Sequence, residues 1–219
     1  MLTYEQVTNS DAIKTYIIRA DESLAALGFT EHSFSHVIHV ARMAGYILET
    51  MGFEPRTVEI AKIAGYLHDI GNLVNRKDHS QSGAVMAWSI LNDLGCDPGE
   101  VATIVTAIGN HDEGTGVPVN AVAAALILAD KADVRWTRVR NKDISTFDIH
   151  DRVNYSVKKS QLLINDEKTA VTLNLTVDTD FCAVMDYFEI FMGRMILCRK
   201  AAERLGLKFK LIINNQQLL

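Results

Sequence analysis

Cysteine is scarce in this 219-residue chain: Cys96, Cys182 and Cys198 are an odd number, lie far apart and form no CxxC pair. That arithmetic argues against a disulfide scaffold and a thiolate zinc finger, and a reducing, cytoplasmic setting is expected. Only 3 prolines and 13 glycines punctuate the sequence, which removes collagen-like and low-complexity readings. No apolar run reaches the roughly 18–20 residues that span a bilayer; residues 117–129 are too short and include Asn120. Residues 1–6 lack the basic-then-apolar order of a secretory signal. An excess of positive charge is also missing. With a net charge of −5 and a pI near 5.8, the surface as a whole is not built for nucleic acid, and no membrane partner is expected.

What is present describes an ordinary globular protein, 48% hydrophobic and 22% charged. At about 100–200 residues per domain, the length allows one large domain or one with a small appendage. Charge is divided unevenly: residues 1–130 carry 7 Lys/Arg against 16 Asp/Glu, whereas residues 131–219 carry 15 against 11. Apolar spacing predicts helices over 11–27, 33–51, 55–71, 78–94, 97–110 and 119–138. Pro55 suits a first helical turn, and Asp97-Pro98-Gly99-Glu100 reads as a capped start. Beyond residue 150 the pattern alternates. Residues 153–165 and 169–178, with Asp166-Glu167-Lys168 between them, predict a β-hairpin, then a helix over 180–205 and a strand over 207–214. The expected architecture is mainly α: a helical domain over 1–150 and a small α+β appendage over 151–219. The hairpin and final strand would leave an edge to cover, so a homodimer is an expectation.

Several polar residues fall in phase with the apolar faces of these helices. His36 precedes Val40, Met43 and Ile47, whereas His39 aligns with Ser35, Arg42, Tyr46 and Glu49; helical phase turns His36 inward and His39 outward. His68-Asp69 follows Ala64 and Leu67. His79 leads Gly83, Met86, Ala87 and Ile90, His111 extends Val101, Ile104 and Ile108, and Asp130 continues Val122, Leu126 and Ile127. A carboxylate ending an apolar stripe is costly unless it is paired or coordinates a cation. Four imidazoles and two carboxylates on converging faces therefore predict a divalent-metal site of N/O ligands, with Mn, Fe, Co, Ni, Zn or Mg all admissible.

The order His36, His68-Asp69, Asp130 resembles the H…HD…D signature of the HD superfamily of metal-dependent phosphohydrolases. The surroundings agree: Val40-Ala41 after His36, Gly65-Tyr66-Leu67 before His68, Ile70-Gly71 after Asp69, and Lys131-Ala132-Asp133 after Asp130. The resemblance covers about residues 30–140 and implies an HD-type helical bundle. His79 and His111 are similar to the extra histidines of the two-metal branch. By that likeness His36, His68, Asp69 and Asp130 hold one metal, Asp69, His79 and His111 serve a second, and Asp69 bridges. A single metal with His79 and His111 around it is the alternative. Asn72 stands where HD-GYP proteins commonly have lysine, and no GYP motif follows His111, so cyclic-di-GMP hydrolysis is not expected.

The implied reaction is hydrolysis of a phosphoester or phosphoanhydride in a small phosphorylated substrate such as a nucleotide. Asp69, Lys131 and Asn72 are the candidate catalytic residues, with Lys131 steadying a phosphate and Asn72 or Asp112 orienting ligands or water. Arg76, Lys77, Arg135 and Arg138 are further candidates for phosphate contact. Two rivals share the ligands: an HD-fold di-iron oxygenase and a non-catalytic nucleotide sensor.

Overall fold

A computed structural model describes residues 1–219. Seven helices lead the chain: α1 (Tyr4–Asn9), α2 (Asp11–Ala26), α3 (Phe34–Thr50), α4 (Pro55–Leu67), α5 (His79–Asp93), α6 (Pro98–Gly109) and α7 (Ala121–Lys131). Their starts follow local chemistry. Asp97 accepts from the Gly99 and Glu100 amides at the head of α6, and Asn120 accepts from the Ala123 amide at the head of α7. Helix α7 is buried on every side from Val122 to Ala129, as the central rod of a bundle must be, and it touches α3, α4 and α6.

Two glycines set how closely the ligand-bearing elements approach. A Cβ on Gly65 would lie 2.7 Å from the Ala41 Cα, so glycine lets α4 press on α3. A Cβ on Gly71 would lie 2.0 Å from the His79 carbonyl oxygen and 2.4 Å from the Gly83 nitrogen. Only glycine allows α5 to cross over the turn that follows Asp69.

The C-terminal part adds α8 (Ile149–Ser156), β1 (Val157–Ile164), β2 (Ala170–Val177), α9 (Val184–Arg204), β3 (Lys208–Ile213) and β4 (Gln216–Gln217). The sheet order is β1-β2-β3-β4. Strands β1 and β2 form the expected antiparallel hairpin, with Leu162 opposite Leu173. Strand β3 runs parallel to β2, with Leu211 beside Leu173, and such a pair needs a crossover connection; α9 supplies it. Helix α9 packs on α7. One buried cluster runs through both parts, from Leu2 to Ile213. No helix is long and apolar enough to cross a membrane.

Four expectations need correction. The short α1 was not foreseen; Thr3 and Gln6 cap it reciprocally in a six-residue stretch too brief for periodicity to show. The third predicted helix stops at Leu67 rather than 71, because His68-Asp69 leads into a 3-10 turn at Ile70–Leu73. The sixth stops at Lys131 rather than 138, where the Asp133 side chain turns back to His36 and Arg138 donates to the Asp133 carbonyl. Residues 153–156 belong to α8, capped by Asp148, and the first strand begins at Val157. Val153, Tyr155 and Val157 alternate in sequence, but Val153 is an inward residue of a helix.

Candidate metal centre

The six residues singled out in the sequence meet at one place. His36 comes from α3, His68 and Asp69 follow α4, His79 opens α5, His111 follows α6, and Asp130 ends α7. His36 and His68 are completely buried, and His111, His79 and Asp69 nearly so. His39 is exposed, on the outer side of α3.

Each imidazole is anchored through Nδ1 to an acceptor. His36 Nδ1 lies 2.7 Å from Asp133 Oδ2, His68 Nδ1 2.8 Å from the Gly65 carbonyl, His79 Nδ1 3.1 Å from the Arg76 carbonyl, and His111 Nδ1 2.6 Å from the Ile108 carbonyl. Carbonyl and carboxylate oxygens only accept, so each Nδ1 donates, and each ring, once free of any second proton, presents its Nε2 lone pair inward. The result is two facing pairs, His36 and His68 at 3.3 Å and His79 and His111 at 3.1 Å.

Carboxylates add to the crowding. Asp69 Oδ2 lies 3.4 and 3.2 Å from the Nε2 atoms of His36 and His68, while Oδ1 lies 3.5 and 3.9 Å from those of His79 and His111. Asp130 Oδ1 closes the first group at 3.4 and 3.7 Å from His36 and His68. Lone pairs converging at such distances repel unless a proton or a cation sits among them. Neutral imidazole and carboxylate are the donors that divalent metals accept, so the residues fit the group that the sequence implies.

Protonation follows the same electrostatics. Burial opposes a charge on His68, but Asp69 and Asp130 outweigh it and hold its pKa at about 10. His36 is likewise raised: burial and Arg138 oppose the proton, and Asp130, Asp133 and Asp69 favour it. His79 and His111 move the other way, lowered chiefly by burial, and for His111 also by the charge on His68. Asp69 and Asp130 stay far below the usual carboxylate range; burial would raise them, but His68 and Lys131 respectively lead the cationic neighbours that outweigh it.

The surrounding residues take clear positions. Asn72 Nδ2 donates to Asp69 Oδ1 at 3.0 Å, and Arg76 Nη1 donates to Asn72 Oδ1 at 3.3 Å. Lys131 is 5% exposed, with Nζ 2.7 Å from both Asp130 Oδ2 and Glu113 Oε2. Glu113 Oε1 in turn accepts from Arg194 Nε at 3.0 Å. Arg135 and Arg138, considered for phosphate contact, tie down the partner of His36: Arg135 Nε donates to Asp133 Oδ1, and Arg138 spans the Glu31 and Asp133 carbonyls. Lys77 is exposed, and Asp112 accepts from the Gly116 amide through its carbonyl.

Sequence reasoning gave no role to Asp133, Glu113, Arg194 or His32. Asp133 lies three residues after Asp130, a visible signal. Arg194 follows Tyr187 and Phe191 on the buried stripe of α9, the same pattern of a charge among apolar residues that marked Asp130. Glu113 and His32 lie outside regular helices, where periodicity gives nothing. The cluster opens into a cleft of about 410 Å³ whose walls include His32, Arg76, Lys131, Asn154, Phe191 and Arg194.

An uncharacterized protein of Methanocaldococcus jannaschii is 25% identical to this chain over 191 residues, covering 76% of this chain and 73% of the relative. Ribonuclease Y 1 of Pediococcus pentosaceus is 32% identical over 104 residues, and ribonuclease Y of Acetivibrio thermocellus 33% over 119. These matches cover 46% and 54% of this chain but only 18% and 21% of those proteins. The crystal structure of a predicted HD superfamily hydrolase from an uncultured Thermotogales bacterium is similar at a TM-score of 0.46 and 26% identity, covering 57% of this chain and 67% of that one. The HD domain family matches residues 33–152, a stretch containing all six clustered residues and more than half of the sequence. On that match, the chain belongs to the HD domain family.

Proposed function

We propose that this protein is a metal-dependent phosphohydrolase that cleaves a phosphoester or phosphoanhydride bond in a small phosphorylated molecule such as a nucleotide. His36, His68, Asp69 and Asp130 would hold one divalent metal, and Asp69, His79 and His111 a second. One observation carries the reading: the two oxygens of Asp69 face two different histidine pairs. Bound divalent metals supply a water of lowered pKa and polarise a phosphoryl oxygen.

The chain's own residues set the rest of the chemistry. Asp133 fixes the ring of His36, and backbone carbonyls fix the other three, so the donors are aimed before any metal arrives. Asn72 holds Asp69 Oδ1 toward His79 and His111. Lys131 neutralises the outer oxygen of Asp130. Phe191 and Arg194 from α9 help close the cleft, which supports residues 1–150 as the metal-binding part and 151–219 as a wall that selects substrate.

Relatives named ribonuclease Y favour P–O bond cleavage as the reaction class. The cleft volume of about 410 Å³ and the net charge of −5 favour a small substrate over an RNA strand. Elemental analysis of purified protein, with a hydrolysis screen across phosphorylated metabolites under several metals with and without oxygen, tests the proposal. The expected result is about two metals per chain and oxygen-independent phosphate release. Iron with oxygen-dependent turnover would replace it by the oxygenase reading.

A further inference from the structure

Glu113 is bound as a substrate anion would be. Its carboxylate bridges two cations, one oxygen 2.7 Å from Lys131 Nζ and the other 3.0 Å from Arg194 Nε. The side chain makes no other hydrogen bond or ion pair as an acceptor, is 30% exposed, and sits on the loop joining α6 to α7 beside Gly114. The two cations each have an anchor besides Glu113. Lys131 is anchored on Asp130, whose other oxygen faces His36 and His68. The Arg194 guanidinium lies over the buried Phe191 ring, 4.4 Å from its centre. Only Nε of Arg194 has a protein partner, so both terminal nitrogens keep their donors for a ligand, and Lys131 keeps one of its three.

We propose that Lys131 and Arg194 form the receptor for the phosphoryl group of the substrate, and that Glu113 fills it until substrate displaces it. The proposal rests on the phosphohydrolase reading and adds to it the group that recognises the anion. A fork of guanidinium donors with an adjacent ammonium suits a tetrahedral phosphoryl dianion better than a single planar carboxylate. Through Lys131 and Asp130 the receptor is one residue from the metal cluster, so a phosphoryl group held there is presented to that cluster. Arg194 lies outside the segment matched by the HD domain family. The receptor is thus completed by the C-terminal part, which gives that part a role in choosing the ligand.

The test measures inorganic phosphate binding to metal-loaded protein by calorimetry. Glu113→Gln removes the competing charge and is expected to bind phosphate about tenfold tighter, a change of about 1.4 kcal/mol. Arg194→Gln is expected to bind about tenfold weaker or worse, with Arg194→Lys in between. A merely structural role for the Glu113–Arg194 pair would weaken both variants alike. Unchanged or weaker phosphate binding by Glu113→Gln overturns the displacement by Glu113. Wild-type affinity in Arg194→Gln overturns the receptor itself; Arg194 touches no proposed metal ligand, and its variant's metal content and melting temperature show that the site is intact. If these shifts occur but no phosphoester is hydrolysed, the receptor stands and the hydrolase reading falls. Hydrolysis without the shifts does the reverse.

Discussion

Asp69 carries more of the site than any other side chain, since each of its oxygens faces its own pair of histidines. Asp69→Ala is expected to abolish turnover and to lower metal content further than any other single change, measured by elemental analysis. His36→Ala is expected to lose metal, while His39→Ala, on the exposed side of the same helix, is expected to be nearly silent. His79→Ala and His111→Ala divide the two-metal arrangement from a single site. Each is expected to reduce the count from about two metals to about one on titration of stripped protein, with the first group still intact. Equal counts in both variants and wild type would leave a mononuclear centre. Protons compete with metal here. His68 and His36 hold theirs above the usual imidazole range, so metal uptake at neutral pH releases protons and apparent affinity rises with pH toward about 10 for His68. Calorimetry in buffers of different ionisation enthalpy counts the protons released; no release would mean that these histidines are already neutral.

Helices and turns decide whether those side chains meet. The turn after Asp69 can lie under α5 only because residue 71 has no Cβ. Gly71→Ala is expected to cost about 1–3 kcal/mol by forcing these backbones apart. His79 opens α5, so the same variant is expected to lose the second metal before the first; denaturant melts and metal counts check both. Much of this was legible in advance. Helical phase separates His36 from His39, and Asp130 stands out as a carboxylate on an apolar stripe. The legible signal ends where a single side chain redirects the backbone. Nothing in the apolar spacing after Lys131 marks a stop, because the stop comes from Asp133 reaching His36, 97 residues away in sequence. Residues 153–156 alternate like a strand, yet the Asp148 cap and their packing make them helical. Asp133→Ala, which frees the His36 ring without touching a proposed ligand atom, is expected to weaken metal affinity by about 10–100-fold.

Across the molecule, the proposed ligands span residues 36–130 and come from or adjoin five helices that share one core with the C-terminal sheet. Metal bound only by the native state stabilises it by mass action, about 2.7 kcal/mol at a free concentration of 100 times Kd. A shift in melting temperature with metal concentration is therefore expected in wild type and absent in Asp69→Ala. The same dispersal has a kinetic consequence. Donors so far apart in sequence are gathered only after the bundle has closed, and ends that distant are slow to bring together. The folding limb of a chevron should then be nearly indifferent to metal, while the unfolding limb falls as metal is added, because contacts absent from the transition state act on escape from the native basin. Occupancy would in this way set how long a folded molecule survives rather than how fast it forms.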